Sequence, residues 1–193
     1  MAIDQDLELM LLVRQGDAES FGVLLRRYRA PLVNFFVRMV HDRALAEDLA
    51  QEVFLRVYQA RHRYQPEARF TTWLYRIATN LALNAIRDRK GCVALNDFDE
   101  QRSESEVARV ADAKPVAEEK MMQSDRERII REAVEALPEK QCVAVILHKY
   151  QDVNYRQISK VLGVSESAVK SLLFRAYESL RARLEPLMKE GQL

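Results

Sequence analysis

The chain has 193 residues, room for one large domain or two small ones, and 48% of them are hydrophobic and 31% charged. That balance builds cores and keeps the chain soluble, and no apolar run approaches the roughly 20 residues that a membrane-spanning helix needs. The net charge of +1 at first argues against nucleic acid, but it is unevenly spread. Residues 1–95 carry 14 Lys/Arg against 11 Asp/Glu, residues 96–119 carry 3 against 8, and residues 120–193 carry 13 against 10.

Apolar periodicity is helical nearly throughout, only 5 glycines occur, and no alternating strand pattern stands out. Leu7 to Gln15 reads as a short amphipathic helix closed by Gly16. Asp17 is placed to cap a second helix carrying Phe21, Leu24, Leu25 and Tyr28. Pro31 is expected to kink or restart that helix, which Leu32, Phe35, Phe36 and Met39 continue. Asp42 caps a third, Arg43 to Ala60, with Leu45, Leu49, Val53, Val57 and Tyr58 inward. Asp48, Gln51 and Glu52 stand at i, i+3 and i+4 on its outer face. Two readings of that patch stand: a solvated surface, or a face that meets a basic protein.

A fourth helix begins near Thr71 or Thr72, with Leu74, Ile77, Ala78, Leu81 and Ala85 inward. Trp73, Arg76, Asn80 and Asn84 line another face, joined by Phe70 and Tyr75. Aromatics stack on unpaired bases, amides read base edges and arginine holds phosphate. This is the chemistry of a pocket that keeps a base pulled out of a duplex. The competing reading is that Phe70 and Trp73 belong to the core. Residues 96–119 follow, acidic and poor in apolar residues, with the composition of a flexible linker.

The clearest local signal is Tyr155 to Ala176. Ile158, Val161 and Leu162 face one side of a helix, and Gly163 suits a left-handed helix end. Ser165 can then cap a second helix, whose Val169, Leu173, Ala176 and Leu180 form one stripe. Lys170, Ser171, Phe174 and Arg175 lie elsewhere on its surface. That is the layout of a helix-turn-helix with its second helix in a DNA major groove. An enzyme constellation is missing. Acid pairs such as Glu47–Asp48 have no partner histidine, and no glycine-rich phosphate loop occurs. Cys92 and Cys142 are isolated, with only His41, His62 and His148 besides, so neither a zinc site, another cofactor nor a disulfide is expected. Asp4, Asp6 and Glu8 make the N-terminus unlike a signal peptide.

Taken together, Gly16–Phe21, Ala46–Phe54, Phe70–Asn80, Leu137-Pro138-Glu139, Tyr155 and Val169–Ala176 resemble bacterial extracytoplasmic-function (group 4, RpoE-like) sigma factors, in the family's order from about residue 5 to 187. The resemblance implies an all-α protein of two helical domains on a flexible acidic linker. Residues 1–92 would be sigma region 2, a four-helix domain; 93–119 the linker; and 120–193 sigma region 4, the helix-turn-helix domain.

Its implied role is to direct core RNA polymerase to promoters and help melt them, in the cytoplasm, under an anti-sigma factor, in stress responses and without membrane insertion of its own. Asp48, Gln51, Glu52 and Phe54 would meet the β′ clamp helices. Arg61, Arg63, Tyr64, Phe70, Thr72, Trp73, Tyr75, Arg76, Asn80 and Asn84 would bind the −10 element. Tyr155, Ser165, Ser167, Lys170, Ser171, Phe174 and Arg175 would bind the −35 element, with the β flap on region 4's other face. Leu172 and Tyr177 stand where many relatives carry arginine, and the loop Tyr64 to Arg69 lacks the family's common Gly-Asp pair. A conventional helix-turn-helix repressor or activator, binding duplex DNA without polymerase, is the alternative.

Overall fold

The computed structural model describes residues 5–66, 68–96, 126 and 128–189. Helix α1 (Gln5–Arg14) buries Met10 and Val13 against α2 (Ala18–Val40). Gly16, at φ +103°, makes the turn, and Asp17 caps α2 by accepting from the Glu19 and Ser20 amides and the Ser20 hydroxyl. Those donors hold the Asp17 carboxyl below its usual range, the Ser20 hydroxyl foremost. Asp6 ties α1 down a second time, accepting from the Arg27 guanidinium and the Tyr28 hydroxyl.

Pro31 does not restart the helix: α2 runs on through it from Ala18 to Val40. A proline inside a helix removes one N–H and costs about 3 kcal/mol. Leu24, Tyr28, Leu32, Phe35, Phe36, Met39 and Val40 are buried on both sides of it, and that shared face carries the helix through. His41 ends α2 in the left-handed region at φ 56°, and Asp42 caps α3 (Arg43–Gln59) through the Leu45 amide. The buried face of α3 is Ala46, Ala50, Val53, Phe54 and Val57. Tyr58, expected inside, is 40% exposed. A short 3₁₀ turn (Arg61–Arg63) leads to α4 (Phe70–Asn96), which buries Leu74, Ala78, Leu81 and Ala82. The expected linker lies, beyond Asn96, outside the described residues.

Helical residues 128–135 form α5, and α6 (Glu139–Tyr150) follows Pro138. Six consecutive residues of α6, Cys142 to Leu147, are buried, because α2, α7 and α8 cover it from several sides. Burial pushes the Cys142 thiol up to about 11, as expected of a core cysteine. Helix α7 (Tyr155–Leu162) begins with a reciprocal capping box. Asn154 accepts from the Gln157 amide at 3.0 Å, and the Gln157 side chain accepts from the Asn154 amide at 3.2 Å. Gly163 closes α7 at φ 65°, and α8 (Glu166–Lys189) follows. We expect Asn154→Ala to cost about 1 kcal/mol, read as a lowered urea midpoint; no change would mean the box is not formed in solution.

Among the described residues there is no strand, and no helix is long and apolar enough to cross a membrane. The two halves share one contiguous core, through α2 against α6 and α4 against α7. His41 lies 3.1 Å from Glu135 across this joint. Burial pulls its imidazole below the usual range and outweighs the opposing pull of the Glu135 carboxylate.

Candidate nucleic-acid and protein interfaces

Helix α8 separates its faces cleanly. Val169, Leu173 and Ala176 are buried beneath it, while Lys170, Ser171, Phe174 and Arg175 are exposed. Phe174 is 67% exposed, too much for a ring with a packing role. The Ser165 hydroxyl caps α8 by accepting from the Ala168 amide at 3.2 Å, and lies 2.9 Å from the Ser167 hydroxyl. Ser171 donates to the Ser167 carbonyl at 3.1 Å. The three serines therefore arrive at any ligand already engaged. Leu172 is half-buried and packs on the core.

Beside this face sits a cluster that residue spacing alone did not reveal. The Tyr155 and His148 rings lie 5.1 Å apart, and His148 Nδ1 is 3.3 Å from the Tyr177 hydroxyl. Burial, then the nearby Tyr155 and Tyr150, raises the Tyr177 hydroxyl and keeps it neutral. The three residues come from α6, α7 and α8, so only the tertiary fold brings them together.

On α3, Asp48 and Gln51 are exposed, and Glu52 is half-buried and paired to Arg56 at 2.7 Å. Phe54 is not on that surface. It is 6% exposed and packs edge-on against Phe21. A groove of about 580 Å³ runs beside the acidic patch, lined by Phe21, Leu25, Val33, Phe54, Leu55 and Tyr58. The exposed Leu55 and Tyr58 were not among the expected site residues; their signal was an apolar side chain on an otherwise polar face.

On α4, Arg76, Asn80 and Asn84 are exposed in a row, as their spacing predicts. The aromatics behave differently. Phe70 is 0% exposed and packs on Tyr28 at 5.5 Å; Tyr64 is buried against Trp73 at 5.0 Å. Thr72 is buried, and Tyr75 is 3% exposed. In this conformation the core holds the rings of Phe70 and Tyr64, and half-buried Trp73 alone of the three offers an edge. The reason is volume: α1, α2 and α4 meet here, and large rings fill the gap between them. Arg61 lies over the Tyr58 ring at 4.1 Å, and Arg63 is exposed. Among the described residues no group of histidine, cysteine and acidic side chains could hold a metal.

Residues 24–91 match the family described as Sigma-70 region 2, and residues 127–180 match Sigma-70, region 4. The chain is 32% identical to the RNA polymerase sigma-H factor of Pseudomonas aeruginosa over 97% of its length and 98% of that protein's. It is 30% identical to the ECF RNA polymerase sigma-E factor of Haemophilus influenzae, over 95% and 97%. It is 33% identical to the RNA polymerase sigma factor CarQ of Myxococcus xanthus, over 92% and 96%. Among solved structures, the fold is similar to CnrH, solved with the cytosolic domain of CnrY, at TM-score 0.70 and 20% identity over 95% of this chain and 99% of that one. It is also similar to a Bartonella quintana RpoE, solved with the anti-sigma factor NepR, at TM-score 0.66 and 19% identity over 87% and 98%.

Proposed function

The chain belongs to the extracytoplasmic-function sigma factors of RNA polymerase, and on that footing we propose which of its surfaces does what. It is a sigma factor rather than a conventional repressor. Residues 1–92 act as region 2 and residues 120–193 as region 4, joined by 93–119. The exposed Asp48 and Gln51, with Glu52, dock on the polymerase β′ clamp helices, and the adjoining groove takes apolar side chains. Phe54 supports that surface from beneath.

The row Arg76, Asn80 and Asn84, with Arg61, Arg63 and Trp73, holds the −10 element. Phe70, Tyr64, Thr72 and Tyr75 shape the same end of α4 from within. Lys170, Phe174 and Arg175 enter the −35 major groove, where cations reach phosphate or guanine and a ring meets a thymine methyl. Ser165, Ser167, Ser171 and Tyr155 position that helix and its backbone contacts. Catalysis belongs to the polymerase, and this protein acts on it in the cytoplasm. Fold neighbours are held by CnrY and by NepR, and an anti-sigma factor is the corresponding partner here.

The observation that carries this reading is an exposed acidic-polar patch on α3 and an exposed basic-aromatic stripe on a different helix, α8. One chain thus presents a protein-docking face and a DNA face of opposite chemistry. Asp48→Lys tests it. Charge reversal at an exposed site leaves the fold intact within about 0.5 kcal/mol, yet should weaken core polymerase binding at least ~10-fold while −35 duplex binding stays unchanged. Equal polymerase affinity for the variant and the parent would remove α3 from the docking face.

A further inference from the structure

The exposed stripe on α8 does not end at Phe174. Lys170, Phe174 and Tyr177 stand at i, i+4 and i+7 on one helical face, and all three are exposed. At the helical rise per residue, Tyr177 lies roughly 16 Å from the start of α8 and about 10 Å beyond Lys170. The major groove is only about 12 Å wide. A helix that puts Lys170 and Phe174 at base edges therefore carries Tyr177 to the groove wall, where the phosphates lie. Tyr177 is also held in place. Its hydroxyl lies 3.3 Å from Nδ1 of His148 on α6, and the His148 ring sits 5.1 Å from the Tyr155 ring of α7. An exposed hydroxyl can bond to water, so a fixed partner adds little to stability. What it does is hold the side chain in one orientation before a ligand arrives. Burial, then Tyr155 and Tyr150, raises the Tyr177 hydroxyl, so it keeps a proton to donate.

We infer that Tyr177 is a further −35 contact, donating its hydroxyl to a backbone phosphate, and that His148 is the residue that positions it. This rests on the assignment of α8 to the −35 element and extends that site onto α6. A tyrosine oxygen donates one hydrogen bond and accepts another. With its proton turned to phosphate, the Tyr177 oxygen accepts from His148 Nδ1–H; without DNA the hydroxyl donates to Nδ1 instead. In both arrangements His148 keeps the phenol at the groove wall, and the Tyr155 ring keeps the imidazole beside it. Two properties distinguish this contact from those of Lys170 and Arg175. A neutral hydroxyl neutralises no phosphate, so it adds affinity without releasing counterions. A phosphate is the same at every base pair, so the contact favours no sequence.

The test measures binding of the full chain to a −35 duplex across a salt series, the duplex coming from a start site that run-off transcription assigns to this protein. Tyr177→Phe removes only a hydroxyl, on an exposed residue. His148→Ala removes its partner, and His148→Asn keeps an N–H where Nδ1 stands. Circular dichroism first establishes equal helix content. Tyr177→Phe and His148→Ala should each bind roughly 10-fold more weakly, by the same factor on duplexes of altered −35 sequence and with the salt slope unchanged. His148→Asn should restore most of the lost affinity. The double variant Tyr177→Phe/His148→Ala should be no weaker than either single one, because both remove the same contact. A histidine that merely packed would give losses that add. Parent-like affinity of Tyr177→Phe, or additive losses in the double variant, overturns the inference. If Lys170→Ala/Arg175→Ala binds like the parent as well, the assignment of α8 falls with it.

Discussion

Replacing Lys170 and Arg175 together by alanine should weaken binding to a −35 duplex by roughly 100-fold or more, with polymerase affinity unchanged. Both side chains are exposed on the face of α8 opposite Val169, Leu173 and Ala176. Each good contact from such a residue to a base edge is worth about 1–3 kcal/mol. A phosphate contact is worth less but carries salt dependence, so losing two should make the slope of log affinity against log salt shallower by about two. Fluorescence anisotropy across a salt series separates these roles. A shallower slope with intact base preference assigns the pair to phosphates; a relaxed preference assigns it to bases. Unchanged affinity at every salt concentration would take α8 out of the DNA interface.

Phe35→Ala should cost about 3–5 kcal/mol, a large share of the roughly 5–15 kcal/mol that holds a domain together. The ring is fully buried on α2, 5.4 Å from Phe36 and 5.7 Å from Tyr75. Its removal opens a cavity that three packed helices cannot close. Because Tyr75 also holds Gln151, the joint between the halves should loosen with it. Phe174→Ala is the matching control. That ring is 67% exposed, so the urea midpoint should stay within about 0.5 kcal/mol of the parent while −35 affinity falls. If the two phenylalanines changed stability alike, the division between core and reading face would be wrong.

The helix-turn-helix was legible because its determinants are local. Gly163 takes the left-handed conformation, Ser165 caps α8, and the stripe Val169, Leu173 and Ala176 is buried, each within 14 residues of the others. The row Arg76, Asn80 and Asn84 was legible for the same reason: helical spacing alone puts them on one exposed face. Aromatic residues were harder to place. Phe70 and Tyr75 have the chemistry to stack on bases, yet the meeting of several helices buries them, while Tyr58 takes the opposite course. Composition and period do not decide which ring fills an inter-helix gap.

Helix α2 continues past Pro31 because its buried face extends on both sides of the proline, which local cost alone does not show. The joint between the halves was not legible at all. Gln151 and Pro31 are 120 residues apart, and Gln157 and Thr71 are 86 apart. A glutamine at a turn gives no local sign of such a partner.

Above all, this chain confers promoter choice on core RNA polymerase. The direct measurement is run-off transcription by purified core polymerase on a library of promoter fragments, with and without this protein. Start sites should appear only when the protein is present, share −35 and −10 sequences, and be lost with Asp48→Lys. The same start sites with and without the protein, alongside footprints on naked duplex that need no polymerase, would contradict it.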